Sequence, residues 1–192
     1  LSNPPTAQAS GLTAAASSSS NINLSWSAAT FPGSGATTTG YVLLRATSPN
    51  TPSLGNGNGA APTAGTNTTI VSSSISGAAT SAASSTLASG TTYNYLLVPF
   101  TWDGTNATTY NYLTASAPTA AATTLAALPG AQPTALVFSA VTSSTITTSW
   151  TAAAGAPTGY IVLRSTGSAP DTDPVSTTTY TAGNTLGNAT VA

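Results

Sequence analysis

Hydrophobic and polar residues alternate in several short stretches of the chain, which is the pattern of β-strands with one buried face. Within residues 21–26 the alternating apolar positions are Ile22, Leu24 and Trp26. Within residues 90–100 the same spacing puts four side chains on one face: Tyr93, Tyr95, Leu97 and Pro99. No stretch shows a sustained helical period, and the Ala-rich runs are interrupted by Ser, Thr, Gly and Pro, which favour turns and extended chain. Short strands separated by turn signals predict an all-β fold of the sandwich type.

Two stretches of the pattern occur twice. The sequence "NINLSW" at 21–26 matches "TITTSW" at 145–150, and "TGYVLLR" at 39–45 matches "TGYIVLR" at 158–164. The two arginines of the whole chain, Arg45 and Arg164, fall at equivalent places in the second pair. The repeat predicts two domains built on one plan, over residues 1–126 and 127–192.

The second copy contains fewer predicted strands than the first. It supplies three strands and part of a fourth region, and it has no counterparts of the side chains that alternate in 90–100. We therefore expect a complete sandwich at 1–126 and a partial one at 127–192. In the partial one, three side chains are expected to face water along an unpaired edge: Trp150, Ile161 and Leu163. Such an edge invites another chain to add strands.

Completion of the partial domain by a neighbouring subunit is one interpretation of this edge. The contact would be heterologous, and its repetition gives an open filament unless the rotation closes. The expected donors are residues 1–10 and an exposed strand of the next copy's first domain. A trimmed chain, or a short domain that closes by itself, would explain the same pattern.

Composition favours self-association. Ala, Ser and Thr make up more than half of the 192 residues, charged residues only 3%, and the net charge is -1. A nearly uncharged protein has little self-repulsion to keep its copies apart. Nucleic acid is not an expected partner, because two arginines cannot neutralise a phosphate backbone. No stretch approaches the length of a membrane-spanning helix.

The residues of the usual catalytic sites are missing. The chain has no His, Cys, Lys or Glu, so no Ser/His/Asp triad, thiol nucleophile or imidazole metal site can be assembled. Its acidic side chains are Asp103, Asp171 and Asp173. The sequence "APDTDP" around the last two predicts an Asp-stabilised turn, with a calcium site as the alternative. We expect no enzymatic activity and no cofactor.

Aromatic residues surround a hairpin turn predicted at Asp103-Gly104, after which "TTYNYLTASAP" at 108–118 is expected to form the last strand of the first copy. Trp102, Tyr110 and Tyr112 are candidate contacts, because an exposed aromatic cluster stacks on sugar rings or anchors a partner subunit. Packing in the core is the alternative.

The two arginines are candidate contacts as well. Arg45 and Arg164 close equivalent strands in a chain that is nearly free of charge. Each is expected to be a solvated strand end, or to pair with Asp103 or with the aspartates of "APDTDP" within a subunit or across a contact. Four sequons are candidate N-glycosylation sites: Asn23, Asn67, Asn106 and Asn188. Covalently attached glycan is thus a further candidate partner.

The repeated stretches resemble the fibronectin type III domains found in tandem in large secreted bacterial proteins. The resemblance rests on the second-strand tryptophans, on "TGYVLLR" and "TGYIVLR", and on "LASGTTYNYLLVPF" at 87–100. In the last stretch Leu87, Gly90 and Tyr93 resemble the turn and tyrosine corner that open the sixth strand. The resemblance covers most of 6–124, and 133–192 more thinly. It implies two immunoglobulin-like sandwiches at an extracellular or cell-surface location, and it leaves the function open because this fold has many roles.

The function expected from these observations is that of a structural subunit of an extracellular fibre or surface filament. Copies of the chain would assemble as a homopolymer through strand completion of the partial domain. The alternative is a binding or spacer module, including a carbohydrate-binding one, of a larger secreted adhesin or enzyme.

Overall fold

The computed structural model describes residues 1–33, 38–155, 157–175 and 178–192, and it is all-β. The chain divides into two compact units, Leu1–Ala127 (unit 1) and Leu128–Ala192 (unit 2). This division falls one residue after the predicted boundary. The helical structure of the described residues is a single 3-10 turn, Ala107–Thr109.

Unit 1 is a sandwich of two antiparallel sheets. The first sheet contains β1 (Ser10–Ala16), β2 (Ile22–Ser27) and β5 (Ser81–Ser84), in the order β1-β2-β5. The second sheet contains β3 (Thr38–Thr47), β4 (Thr69–Ser76), β6 (Thr92–Trp102), β7 (Asn111–Tyr112) and β8 (Thr119–Thr123). Its order is β4-β3-β6-β7, and β8 also pairs with β6.

The core between the sheets follows the predicted alternation. Ile22, Leu24 and Trp26 are buried while the residues between them are exposed. They meet side chains of β3 and β6 that belong to the same apolar cluster, among them Tyr41, Leu43, Tyr95 and Leu97. We call this group, with its neighbours, the inner cluster. The ring of Trp26 packs edge-on against that of Tyr41, with 5.5 Å between the ring centroids, a geometry that aromatic pairs prefer.

Two tyrosine hydroxyls connect strands to the loops beside them. The hydroxyl of Tyr41 accepts a hydrogen bond from the backbone N–H of Ala29 at 2.7 Å. The hydroxyl of Tyr93 accepts one from the backbone N–H of Ala88 at 3.0 Å, just before Gly90, whose φ is 59°. A Tyr at the start of a strand that bonds back to the preceding turn is the geometry of a tyrosine corner.

The predicted last strand at 108–118 was wrong as one continuous element. Its residues form the two-residue β7, and a separate strand, β8, completes the sheet. The side chain of Asn106 accepts a hydrogen bond from the backbone N–H of Thr108 and so holds the chain in the 3-10 turn. Pro118, which has no N–H to donate to a ladder, lies just before β8.

Unit 2 has two small sheets. One pairs β9 (Thr134–Ser139) with β10 (Thr147–Thr151). The other has the order β11-β13-β12, from β11 (Leu163–Ser165), β12 (Thr185–Leu186) and β13 (Ala189–Val191). The third strand predicted at 158–164 forms only at its end, as β11, which pairs with β13 alone among the described residues. The equivalent β3 is paired on both sides, by β4 and β6.

Replacing Tyr41 by Phe is expected to lower the free energy of unfolding by about 1–3 kcal/mol, because the N–H of Ala29 would stay buried without its acceptor. Urea unfolding followed by tryptophan fluorescence measures the change. Tyr160→Phe is the matched control, since the Tyr160 hydroxyl accepts from Ala153 in unit 2 on a side chain that is 38% exposed. Equal losses in both variants would contradict the argument.

Candidate functional site

Unit 2 repeats the central contact of unit 1. The rings of Trp150 and Tyr160 pack edge-on with 5.4 Å between their centroids and 68° between their planes. The Tyr160 hydroxyl accepts a hydrogen bond from the backbone N–H of Ala153 at 2.8 Å. Trp26 and Tyr41 have the same interplanar angle in unit 1. The repeat seen in the sequence is therefore also a repeat of side-chain packing.

Strand registers identify the equivalent residues of the two units. In unit 1 Leu24 lies opposite Ala14, and in unit 2 Thr148 lies opposite Phe138. Each of these β2 and β10 residues stands two places before the tryptophan of its strand. The agreement makes β9 and β10 the counterparts of β1 and β2.

The second sheet of unit 2 agrees with unit 1 in the same way. Arg45 lies opposite Thr69 in the pairing of β3 with β4. Arg164 lies opposite Thr190 in the pairing of β11 with β13. Thus β11 corresponds to the end of β3, and β13 corresponds to the start of β4.

Equivalent side chains differ sharply in burial. Ile22 is 0% exposed in unit 1, whereas Ile146 is 58% exposed in unit 2. Leu12 and Ala14 pack on the inner cluster, whereas Leu136 and Phe138 are 59% and 62% exposed. Four apolar side chains lie on β9, on β10 or just before β10, and we call the surface they form the open face: Leu136, Phe138, Ile146 and Trp150. It is an apolar surface with the composition of a core: three of its side chains are more than half exposed, and Trp150 is partly covered by Tyr160.

Of the three side chains of unit 2 that were predicted to face water, one is exposed and two are half-buried. Ile161 is 44% exposed. Trp150 is half-buried because it packs against Tyr160. Leu163 is half-buried because it pairs with Val191. The residues that sequence reasoning missed are Leu136, Phe138 and Ile146, although their spacing from Trp150 equals that of their counterparts from Trp26.

One backbone edge of β11 has no paired strand among the described residues. β3 is flanked by β4 and β6, whereas β11 is flanked within the described residues by β13 alone. A cavity of about 730 Å³ in unit 2 has Tyr160, Ile161 and Leu163 among its lining residues. The open edge, defined as residues 160–165, therefore offers both unpaired backbone and apolar side chains.

The arginines do not form the predicted ion pairs among the described residues. Arg45 donates a hydrogen bond to Ser84 Oγ at 2.9 Å, and its guanidinium carbon lies 5.2 Å from the ring centroid of Tyr93. That distance is typical of a cation–π contact. Arg164 is exposed. Two of the aspartates accept hydrogen bonds from turns instead, and pairing across a contact between subunits stays a prediction.

Asp103 and Asp171 both stabilise turns. Asp103 Oδ1 accepts from the backbone N–H of Asn106 at 2.7 Å, and this bond holds the pKa of the carboxyl below its usual value. Asp171 Oδ1 accepts from the backbone N–H of Asn188 at 3.0 Å, which lowers the pKa of that carboxyl as well. A Cβ at Gly187 would collide with Asp171 Oδ1, so the turn needs glycine there. Residues 1–33, 38–155, 157–175 and 178–192 contain no group of three or more acidic, His or Cys side chains placed to hold a metal.

The predicted exposed aromatic cluster is largely buried. Trp102 stacks on Tyr110 with 4.7 Å between the ring centroids, and Tyr110 stacks on Tyr112. Tyr110 and Tyr112 are only 8% and 5% exposed. The rings belong to an apolar cluster on the outer side of the second sheet of unit 1, which we call the outer cluster; its other members include Val42, Leu44, Val98 and Phe100. The two tyrosines are therefore part of the packed interior of unit 1, whereas Trp102 is only partly buried.

A long loop between β3 and β4 covers the outer cluster. The hydroxyl of Tyr112 donates to the carbonyl oxygen of Ala60 at 2.8 Å. The backbone N–H of Tyr112 donates to Asn58 Oδ1 at 2.7 Å. Stacking on a sugar requires an exposed ring face, and these bonds place the loop over the tyrosines instead.

The four candidate glycosylation sites are all exposed, but their amides have different environments. Asn23 lies on β2. Asn67 Nδ2 donates to Asn50 Oδ1 at 3.3 Å, and the side-chain oxygen of Asn106 caps the 3-10 turn. Asn188 Nδ2 donates to Ser168 Oγ at 2.8 Å, so attachment of a glycan there would break a hydrogen bond.

The comparisons with known proteins identify no family. No protein-family model matches the chain, and no curated protein matches it. Among solved structures the chain is similar to a β-sandwich protein redesigned by computer, at 15% sequence identity and a TM-score of 0.34. The match covers 67% of this chain and 95% of that one. No helix in the part of the chain that the structure describes has the length and hydropathy needed to cross a membrane.

The turn at Asp171 predicts a pH dependence. Because the pKa of Asp171 is lowered in the folded chain, its contribution to stability is present above the ordinary value of 3.8 and is lost as pH falls through the folded pKa. NMR titration of the Asn188 amide proton, which binds this carboxylate, should show a midpoint below 3.8. Asp171→Asn should abolish that titration, whereas Asp173→Asn, with the same charge change, should leave it in place. A midpoint at or above 3.8 would contradict the assignment.

Proposed function

We propose that the protein is an extracellular structural module, in which sandwich units follow one another along the chain and added β-strands cover the open face of unit 2. One contrast carries this proposal. Ile22 is fully buried and its counterpart Ile146 is 58% exposed, although the strands around them have the same register. An apolar surface of this kind marks an interaction site.

The side chains that carry charge support a structural role over an enzymatic one. The chain has only two basic and three acidic residues. Asp103 and Asp171 are exposed and accept backbone hydrogen bonds in turns. Arg45 packs on the ring of Tyr93 within the sandwich. These contacts give three of the five charged side chains a role in stabilising the fold.

The strand arrangement of unit 1 supports the resemblance to secreted fibronectin type III domains. The three-stranded sheet, β1-β2-β5, faces a sheet in which β3 and β6 are central. The hydrogen bond from Ala88 to the Tyr93 hydroxyl adds the corner expected at the start of the sixth strand. An extracellular location follows from this resemblance and is part of the proposal, by analogy at the level of the fold.

A fibre of identical copies is the first architecture that this function allows. The near absence of charge favours it, since little repulsion separates the copies. Residues 1–10 are a poor donor, because Ser2 donates a backbone hydrogen bond to Thr109 and the side chain of Gln8 donates one to Leu113. In the part of the chain that the structure describes, the edge strand β4 pairs with β3 alone, so it is the better donor from a neighbouring copy.

A spacer module within a longer array of sandwiches is the second architecture. The observation that favours it is the agreement of unit 2 with unit 1 in both of its sheets, as far as β13. In this arrangement the covering strands belong to a further part of the array. A sugar-binding module has less support, since Tyr110 and Tyr112 are buried.

The variant Ile146→Ser tests whether the open face takes part in self-association. In the fibre, this variant should reduce the mass measured by light scattering and remove fibres seen by negative-stain electron microscopy, because it places a hydroxyl in the contact. Leu1→Ser, at an exposed apolar residue of unit 1, is the matched control and should leave assembly unchanged. Loss of assembly in both variants, or in neither, would overturn the role of the open face in the fibre. A wild-type chain that stays monomeric would exclude the fibre.

A further inference from the structure

We propose that the open edge of unit 2 accepts an antiparallel strand of the β6 type, an uncharged stretch like Thr92–Trp102. The inference rests on the proposed function, because it takes for granted that added strands cover unit 2. It goes further by naming which strand binds, at which edge and in which register.

The side chains of β6 contribute to both faces of its sheet in unit 1. Tyr95 and Leu97 contribute to the inner cluster. Val98 and Phe100 contribute to the outer cluster. Unit 2 has uncovered apolar side chains that correspond to both clusters, and Ile161 is among them. A single strand of the β6 type would cover the exposed side chains that correspond to the inner cluster and those that correspond to the outer cluster.

The register of β3 with β6 in unit 1 predicts how the incoming strand would pair in unit 2. In unit 1 Val42 lies opposite Val98, and Leu44 lies opposite Leu96. The counterparts of Val42 and Leu44 are Ile161 and Leu163, because Arg45 and Arg164 share their register with the next strand. The incoming strand should therefore place its Val98-like residue opposite Ile161.

The equivalent arginines, Arg45 of β3 and Arg164 of β11, also favour a strand of the β6 type. Arg45 binds Ser84 of β5 and lies over the ring of Tyr93 of β6. Arg164 is exposed in the described part of unit 2. A β6-type strand would bring a tyrosine ring to Arg164 and so supply the contact that its counterpart already has.

The source of the strand is limited by stoichiometry. Within the described residues, one copy of the chain contains one set of strands from β5 to β8, and unit 1 uses that set. Donation of β6 by a second copy would empty that copy's unit 1, whose core includes Tyr95 and Leu97 at 0% exposure. The occupant is therefore an additional strand of this sequence type, and not β6 of another copy.

A chain extension tests the inference on the intact protein. Val191 lies opposite Leu163 as Ile70 lies opposite Leu44, so Ala192 stands at the place of Val71. A second copy of residues 72–126 is therefore joined directly to Ala192. Amide hydrogen exchange, read by mass spectrometry, should slow at least about tenfold in residues 134–139 and 160–165.

The matched control carries the same extension with two changes in the added copy, Tyr95→Asp and Leu97→Asp. These changes put charges where the inner cluster would form, so exchange in unit 2 should stay as fast as in the unextended chain. Equal protection by both extensions, or by neither, would overturn the inference.

A disulfide tests the register by itself. The chain has no cysteine, so two engineered ones are sufficient: Ile161→Cys in unit 2 and Val98→Cys in the added copy. Oxidation should link them in most molecules, because directly opposed strand residues come within disulfide reach. Ile161→Cys combined with Leu97→Cys in the added copy should link poorly, because a one-residue shift points the side chain to the other face. Preferential linkage of the second pair would overturn the proposed register.

The outcomes separate this inference from the fibre. A wild-type chain that stays monomeric, together with an extension that protects unit 2, would reject the fibre and keep the β6-type strand. A wild-type chain that assembles, together with an extension that leaves unit 2 unprotected, would keep the fibre and reject the strand.

Discussion

The pairing of β3 with β6 is the interaction on which the rest of unit 1 depends. β3 pairs with β6 along all ten of its residues. Because successive side chains of a strand point to opposite faces, this pair contributes to both apolar clusters at once. The remaining strands then add to one edge or pack on one face. Gly40 shows how tightly the sheet is built there, since a Cβ on it would collide with Phe100 and with the backbone of Ile75.

The described residues of unit 2 keep some contacts of unit 1 without a pairing equivalent to that of β3 with β6. The contact of Trp150 with Tyr160 persists because it needs only the first sheet and the start of the next strand. Regular pairing of the third strand shrinks to Leu163–Ser165, which β13 holds from one side. The Trp150–Tyr160 contact thus persists in unit 2, whereas Ile146 is exposed. Strand length and core burial in this fold are consequences of long-range pairing more than of local propensity.

The sequence predicts much of unit 1 and less of what surrounds it. Alternation alone identifies the inward side chains of β2, whereas the contact between the tyrosine of the repeated "TGY" motif and the tryptophan was not predicted. The outer cluster could not be predicted in the same way, because its cover is a Gly- and Asn-rich loop without apolar periodicity. Tyr112 bonds to Ala60 across 52 residues of chain, and no local pattern encodes such a partner. The contact of Arg45 with Ser84 is equally remote in sequence.

The shortage of charge explains why the open edge matters more here than in most proteins. Natural sheets protect their edges with lysines, inward-pointing charges, prolines or a covering segment. This chain has no lysine and only two arginines, so it relies on covering segments and pairing. In unit 1 the N-terminal residues cover part of the sandwich through Asn3, whose carbonyl accepts from the buried Thr101 hydroxyl. In unit 2 the carbonyl of Val162 accepts a hydrogen bond from the N–H of Ala192, and Leu163 lies opposite Val191. The other side of residues 160–163 has neither a charged side chain nor a paired strand among the described residues, and a further strand would protect that edge.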